Sequence, residues 1–175
     1  MRYIMVILGI MFISAGLQAK EAVKVEKAMF GAGCFWHVQE AFSEVEGVKA
    51  TSAGYSGGKT PDPSYKRVCA GDTGHAEVVY VEYDPEEVDY EELLEVFWDI
   101  HDPTQLKRQG WDVGEQYRSV IFYYTDSQKK KAEMSLKKEQ EKYKKKIVTD
   151  IRPAKEFYEA EEYHQDYNKK RRLFR

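Results

Sequence analysis

Residues 28–45 read AMFGAGCFWHVQEAFSEV, and the pattern changes character at Gly33-Cys34. Before that point, Val23 to Gly31 has the character of a strand, and the glycines that follow supply a tight turn into a helix. After it, Cys34, Phe35, Val38, Ala41, Phe42 and Val45 recur at helical spacing, which predicts an amphipathic helix beginning at or beside Cys34. Glu46-Gly47 ends that helix. Downstream, Val48 to Tyr55 reads as a second strand, Ser56 to Gly74 as a loop with Gly57-Gly58, Pro61 and Pro63, and His75 to Tyr83 as a third strand stopped by Asp84-Pro85. Asp89 with Glu92 forms a capping box, and Tyr90, Leu93, Leu94, Phe97 and Trp98 give the next helix its buried stripe. A polar loop, Asp102 to Gly114, precedes a fourth strand from Ser119 to Tyr124.

The order is strand, helix, strand, strand, helix, strand. It predicts an α+β fold of the ferredoxin-like split βαβ type, with an antiparallel or mixed sheet and helices on one face. A C-terminal extension follows: a Lys-rich helix over about Ser127 to Lys146, a short strand near Ile147 to Ile151, and a helical segment from Glu159 to Leu173. Nothing after Lys146 is apolar enough to make a second core, so residues 20–175 are expected to form a single domain.

Composition narrows the function classes. The 175 residues carry 27 Lys and Arg against 30 Asp and Glu, a formal charge of 27 − 30 = −3, which gives no charge excess for phosphate and argues against a nucleic-acid partner. Two cysteines exclude a disulfide scaffold, an iron–sulfur site and a four-thiolate zinc site. The four histidines (His37, His75, His101, His164) are not spaced as a ligand pair on one helix, so no metal is expected. At the N-terminus, Arg2, the apolar run Ile4 to Ile13 and the small residues Ser14, Ala15 and Gly16 describe a secretory signal cleaved near Ala19. The run is short for a membrane span, which needs about 20 residues, although Leu17 is an imperfect cleavage-site residue and a retained anchor is the alternative. Export to the periplasm or outside the cell is expected, with membrane contact only through an uncleaved N-terminal segment. The basic tail, Lys169 to Arg175, reads as a solvated helix face.

Cys34 is the first chemical candidate, because amides at a helix N-terminus favour a thiolate; a fall in pKa from about 8.5 to about 7 is expected. The alternative is a small buried hydrophobe. Phe35 and Trp36 cannot both face the core, so one should line the pocket beside the sulfur, an aromatic wall suited to a methyl-bearing substrate. By strand parity Glu77 shares a face with Val79 and Val81, where desolvation would raise its pKa and make it a general acid. Tyr65 and Tyr117 lie in polar, punctuated loops, from which their hydroxyls can reach a site.

These residues together resemble the peptide methionine sulfoxide reductase A family. The match runs through Gly33-Cys34-Phe35-Trp36, Gly54-Tyr55-Ser56-Gly57-Gly58, Pro61, Pro63, Tyr65, Val68-Cys69-Ala70-Gly71 and Gly74-His75-Ala76-Glu77-Val78. It continues through Phe97-Trp98, His101-Asp102-Pro103, Gln109-Gly110, Asp112, Gln116-Tyr117-Arg118-Ser119, Phe157-Tyr158, Ala160-Glu161 and Tyr163-His164-Gln165. The resemblance implies thiol-dependent reduction of the S epimer of methionine sulfoxide, free or in proteins. On it, Cys34 attacks the sulfoxide sulfur and becomes a sulfenic acid, Glu77 protonates the oxygen, and Tyr65 and Tyr117 hold that oxygen. Phe35 and Trp36 would bind the methyl group, with Asp112 helping to place the polar part. No cofactor is implied beyond an external thiol reductant (thioredoxin-like, glutaredoxin-like, or dithiothreitol in vitro), and a monomer is expected.

Two positions depart from the family pattern: His37 replaces the glycine that commonly follows Cys-Phe-Trp, and Trp111 sits beside Asp112 where Asn is common. Many members also carry C-terminal resolving cysteines, whereas residues 70–175 contain none. Cys69 is the other thiol and reads as structural, so the expected cycle uses one cysteine, with the external thiol attacking the sulfenic acid directly. Two other readings stand beside this one: a Cys–His hydrolase pairing Cys34 with His75 or His164, and a non-catalytic module binding methionine-rich proteins through Phe35 and Trp36.

Overall fold

The computed structural model describes residues 24–173; the expected signal, residues 1–19, lies outside them. Three antiparallel pairings organise the centre. Strand β1 (Glu26–Ala32) pairs with β3 (Ala76–Tyr83) through Phe30↔Val79 and with β6 (Ser119–Tyr123) through Phe30↔Ile121. Strand β2 (Val48–Ser56) pairs with β3 and sets Tyr55 opposite Glu77. These four run antiparallel in the order β6-β1-β3-β2, because each crossover helix carries the chain past one strand before it returns.

The C-terminal segment is more than an appendage. Strand β7 (Asp150–Pro153) joins β6 in parallel, and β8 (Phe157–Glu159) joins β2 antiparallel, so the segment covers both edges of a mixed six-stranded sheet. Covered edges leave fewer unpaired backbone groups to template aggregation.

Helices α1 (Phe35–Ser43), α3 (Tyr90–Asp99) and α4 (Asp126–Gln140) bring Phe42, Leu94, Phe97 and Ala132 into one core cluster with Phe30, Val79, Val81 and Ile121 of the sheet. Phe30 stacks on Phe42 at 4.8 Å and on Phe97 at 5.5 Å between centroids, so Phe30→Ala would open a cavity costing about 3–5 kcal/mol. The opposite face carries a smaller cluster, Met29, Ala76, Val78, Val120 and Phe122, packed against Ala154 and Phe157 of the C-terminal segment. Helix α3 starts on the expected capping box, with Glu92 N–H donating to Asp89 at 2.9 Å and Asp89 N–H donating back to Glu92 at 2.9 Å.

Several boundaries differ from the sequence reading. The region expected to be loop contains a short helix, α2 (Tyr65–Ala70), closed by Gly71 in the left-handed conformation (φ 79°). The polar stretch after α3 holds a small hairpin, β4 (Arg108–Gln109) with β5 (Asp112–Val113), and a 3-10 turn over Glu115–Tyr117. Helix α4 stops at Gln140 rather than Lys146, because the Gln140 amide takes over the backbone: it donates to the carbonyls of Tyr143 and Lys145 and accepts from Ile147 N–H at 2.8 Å. The strand expected at 147–151 therefore begins at Asp150. Of the helix expected over 159–173 only α5 (Tyr167–Leu173) forms; Glu159 belongs to β8 and Glu162–His164 to a 3-10 turn.

Candidate active site

Cys34 is the N-cap of α1, with extended backbone (φ −61°, ψ 122°) that leaves the sulfur at the helix end, where the nearby amides of Trp36 and His37 favour the thiolate. Gly33 makes the turn possible: its φ of 97° is left-handed, and a Cβ there would lie 2.8 Å from Gln109. Glu77 reaches the same helix end from β3. It is 1% exposed, and the Phe35 N–H donates to its carboxylate at 3.0 Å. One helix terminus thus presents its free amides to a thiol and a carboxyl side by side.

The electrostatics correct one expectation. The Cys34 thiol is not depressed toward 7 but pushed up to about 11: burial disfavours the thiolate, Glu77 and Asp112 add negative charge nearby, and the two amides offset only part of this. Glu77 behaves as the strand parity implied. Burial, with a further contribution from Asp112, lifts it to about 7 against the opposing Phe35 hydrogen bond. At neutral pH the resting site therefore holds a thiol and a carboxyl close to half protonation.

The phenols converge on this pair. Tyr117 ends the 3-10 turn, and its hydroxyl is raised by burial and by the charges of Glu77, Cys69, Asp112 and Cys34, placing it among all four groups. Tyr65 is the first residue of α2, raised by burial and by its contact with the Cys69 thiol one turn on, with Glu77 and Tyr117 also in reach. Asp112, on β5, is exposed at the rim. Cys69 is exposed, and both cysteines are free thiols.

Phe35 is buried in the core cluster, 5.8 Å from the Tyr55 ring and 5.1 Å from His164, while Trp36 is half-buried and stacks on Tyr167 at 3.7 Å. The division expected of the two aromatics is present, with Trp36 on the open side. The Trp36 indole N–H donates to His164 Nδ1 at 3.0 Å, so the neutral ring carries its proton on Nε2. His164 also lies 4.3 Å from the Tyr65 ring. Its neighbours fix it: Glu161 accepts from Tyr65 N–H (3.0 Å) and Tyr55 hydroxyl (2.9 Å). The Gln165 amide accepts from Ala53 N–H (2.9 Å) and donates to the Ala53 carbonyl (2.8 Å), like one more strand residue on β2.

Glu161 and Gln165 shape the site but are not marked as site residues by the sequence, and His164, a candidate base in the hydrolase reading, instead orients Trp36; the signal for all three is the pair of motif blocks Ala160-Glu161 and Tyr163-His164-Gln165. The other two buried histidines are structural. His75 accepts from Gly58 N–H and contacts the Thr60 carbonyl, so it does not pair with Cys34. His101, held neutral by burial with its pKa lowered to about 4, joins Phe97 O to Ser119 Oγ.

A sulfur and a half-protonated carboxyl at one helix end, flanked by two phenols and an aromatic wall, define a cysteine-centred α+β oxidoreductase. The pattern of the peptide methionine sulfoxide reductase family matches residues 26–174. The methionine sulfoxide reductase MsrA of Methanothermobacter thermautotrophicus is 56% identical over 156 residues, covering 86% of this chain and 92% of the relative. Among solved structures, methionine sulfoxide reductase A of Corynebacterium diphtheriae superposes with a TM-score of 0.82 at 39% identity, covering 85% of this chain and 76% of that one. Reduced Mxr1 of Saccharomyces cerevisiae gives 0.80 at 38%, covering 87% and 88%, and Mxr1 in complex with Trx2 gives 0.59 at 25%, covering 87% and 91%. The chain belongs to the peptide methionine sulfoxide reductase family.

Proposed function

We propose that this protein reduces methionine S-sulfoxide to methionine with electrons from an external thiol. The observation that carries the reading is the shared helix end: Glu77 accepts the Phe35 N–H at the start of α1, where Cys34 is the N-cap, and the charges of both bear on the hydroxyl of the half-buried Tyr117. A sulfoxide sulfur is electrophilic once its oxygen is protonated or strongly hydrogen-bonded. Glu77 supplies that proton, and the Tyr65 and Tyr117 hydroxyls, held neutral by burial, donate to the oxygen. The Cys34 sulfur, having lost its proton, attacks the substrate sulfur. An S–S bond forms as the S–O bond breaks and the protonated oxygen leaves as water. A water oxygen then bonds to Cys34 Sγ, the S–S bond breaks with its electron pair going to the methionine sulfur, and Cys34 is left as a sulfenic acid. In net terms, thiol plus sulfoxide gives sulfenic acid plus thioether.

Two equivalents of external thiol then return Cys34 to the thiol, releasing water and a disulfide. A thioredoxin-like protein is the natural donor class, as in the complex of Mxr1 with Trx2. Cys69 does not resolve Cys34 on this reading; its thiol lies against Tyr65. Trp36, oriented through His164, binds the S-methyl group, with the buried Phe35 packed behind the helix end. We further read the four central strands with α1 and α3 as a split βαβ plait, residues 20–175 as one reductase domain that works as a monomer, and residues 1–19 as a secretory signal directing export.

The test is direct: incubate the protein with each epimer of free methionine sulfoxide and dithiothreitol, and measure methionine. Turnover of the S epimer alone is expected, and it should vanish in Cys34→Ser. Turnover of an ester with no reduction of either epimer would instead favour the hydrolase reading.

A further inference from the structure

Among the described residues, three of the exposed large apolar side chains (Leu106, Trp111 and Val113) crowd into the eight positions 106–113, and Trp111 is 99% exposed. This is no slack loop. Gly114 N–H donates to the Lys107 carbonyl at 3.0 Å, Gly110 N–H donates to Gln105 at 2.9 Å, and Lys107 pairs with Glu115 at 3.6 Å. The β4–β5 register pairs Gln109 with Asp112 and Arg108 with Val113, so one face of the ribbon carries Gln109 and Asp112. That face is turned to the catalytic centre: Gln109 packs on Gly33, the residue before Cys34, and the Asp112 charge is felt by Cys34 and Glu77. The hairpin is a rim: its inner face, Gln109 and Asp112, is toward the thiol, its tip carries the exposed Trp111, and its outer face carries Val113 beside Arg108.

The proposed pocket accepts one methionine side chain. Any polypeptide that inserts an oxidised methionine must therefore carry its flanking backbone over the surrounding surface, and the rim beside Asp112 presents a ready apolar seat. A free amino acid has nothing to place there. We propose that Trp111, supported by Val113 and Leu106, is a specificity-determining ledge that binds an apolar or aromatic side chain close in sequence to the oxidised methionine of a protein substrate. The inference rests on the sulfoxide reductase reading and extends it to substrate choice.

The experiment compares wild type with Trp111→Asn on three substrates, using dithiothreitol throughout so that no protein reductant is needed: free methionine S-sulfoxide, a peptide with Leu and Phe flanking the sulfoxide, and the same peptide with Gly and Ser. The variant should lose about tenfold in kcat/KM on the apolar peptide, about 1.4 kcal/mol, mostly through KM, and be unchanged on the other two. Val113→Ser should shift the same substrate in the same direction by less. An equal fall on all three substrates would overturn the ledge in favour of an indirect effect through Asp112. Unchanged kcat/KM on every substrate would overturn it too; if a second series with thioredoxin in place of dithiothreitol then showed a deficit, the tip would be a reductant contact instead. Failure of the wild type on all three would sink the reductase reading itself, a result distinct from a ledge that fails on an active enzyme.

Discussion

Replacing Glu77 with glutamine changes two quantities in opposite directions. The amide oxygen can still accept the Phe35 N–H, so the helix end keeps its partner, but the proton donor and the negative charge are both gone. The reaction needs a carboxylic acid together with a thiolate, whereas the resting pair, at about 7 and about 11, is a carboxylate or acid beside a thiol. Moving one proton from Cys34 to Glu77 spans at most 11 − 7 = 4 pH units, about 5 kcal/mol, and less once neutral Glu77 stops repelling the thiolate. The substrate oxygen must meet that cost by accepting the Glu77 proton as the thiolate attacks. In Glu77→Gln the Cys34 pKa should fall, since an opposing charge has left, yet sulfenic acid formation should slow about a hundredfold for want of the acid. Single-turnover kinetics would read the second effect and the pH dependence of thiol alkylation the first. Wild-type kcat/KM should climb with pH to about 7 and then level, because one proton shared between the two groups is the active state, whereas the variant should keep climbing to its own thiol pKa. An unchanged single-turnover rate would remove Glu77 from the acid role.

Other expectations follow from the same geometry. Tyr117→Phe and Tyr65→Phe should each slow the reductive step by about a hundredfold while leaving thermal stability within about 1 kcal/mol, as each removes one donor to the oxygen; a loss in stability without a loss in rate would contradict this. Cys69→Ser should keep full turnover with dithiothreitol, and recovery of a Cys34–Cys69 disulfide after one turnover would refute the one-cysteine cycle. Gln165→Ala leaves the buried Ala53 N–H without its partner, while the Ala53 carbonyl keeps the Ala160 N–H, and should cost about 2 kcal/mol in urea unfolding. Two buried groups have opposed pH linkage. Glu77, raised from 4.5 to about 7, disfavours the folded state as pH rises through 7; His101, lowered from 6.5 to about 4, disfavours it as pH falls through 4. Each spans 2.5 pH units, about 3 kcal/mol, so stability should change little between pH 7 and pH 4 on their account. Glu77→Gln should expose the His101 loss on acidification, measured as urea midpoint against pH.

The order of the main elements could be read from the chain because each is long enough to show its period: α3 has five buried residues on one stripe and β3 alternates across the sheet. The elements that escaped are those too short for a period. Helix α2 is six residues with only Val68 buried, and β4 and β5 are two residues each. The end of α4 was set by one glutamine side chain, which hydropathy does not register. At the site, the residue types pointed to Cys34, Glu77 and the aromatics, and Glu77 on its buried strand face behaved as parity implied. The thiol did not, because a helix terminus is legible from Gly33-Cys34 whereas the burial of the sulfur, and then the charge of a carboxyl 43 residues away, are set by tertiary packing. Glu161, Gln165 and the actual role of His164 were hidden for a related reason: they depend on where a polar stretch lies down, and no local periodicity records that.

That arrangement has a consequence for how the protein becomes competent during synthesis. Trp36 takes its orientation from His164, and the entrance of α2 is tied by Glu161, so a nascent chain emerging from the ribosome can complete its central strands and still lack a finished substrate chamber. Activity should begin only when residues 161–172 have emerged and settle against α1, where Arg172 meets Glu40 and Glu44.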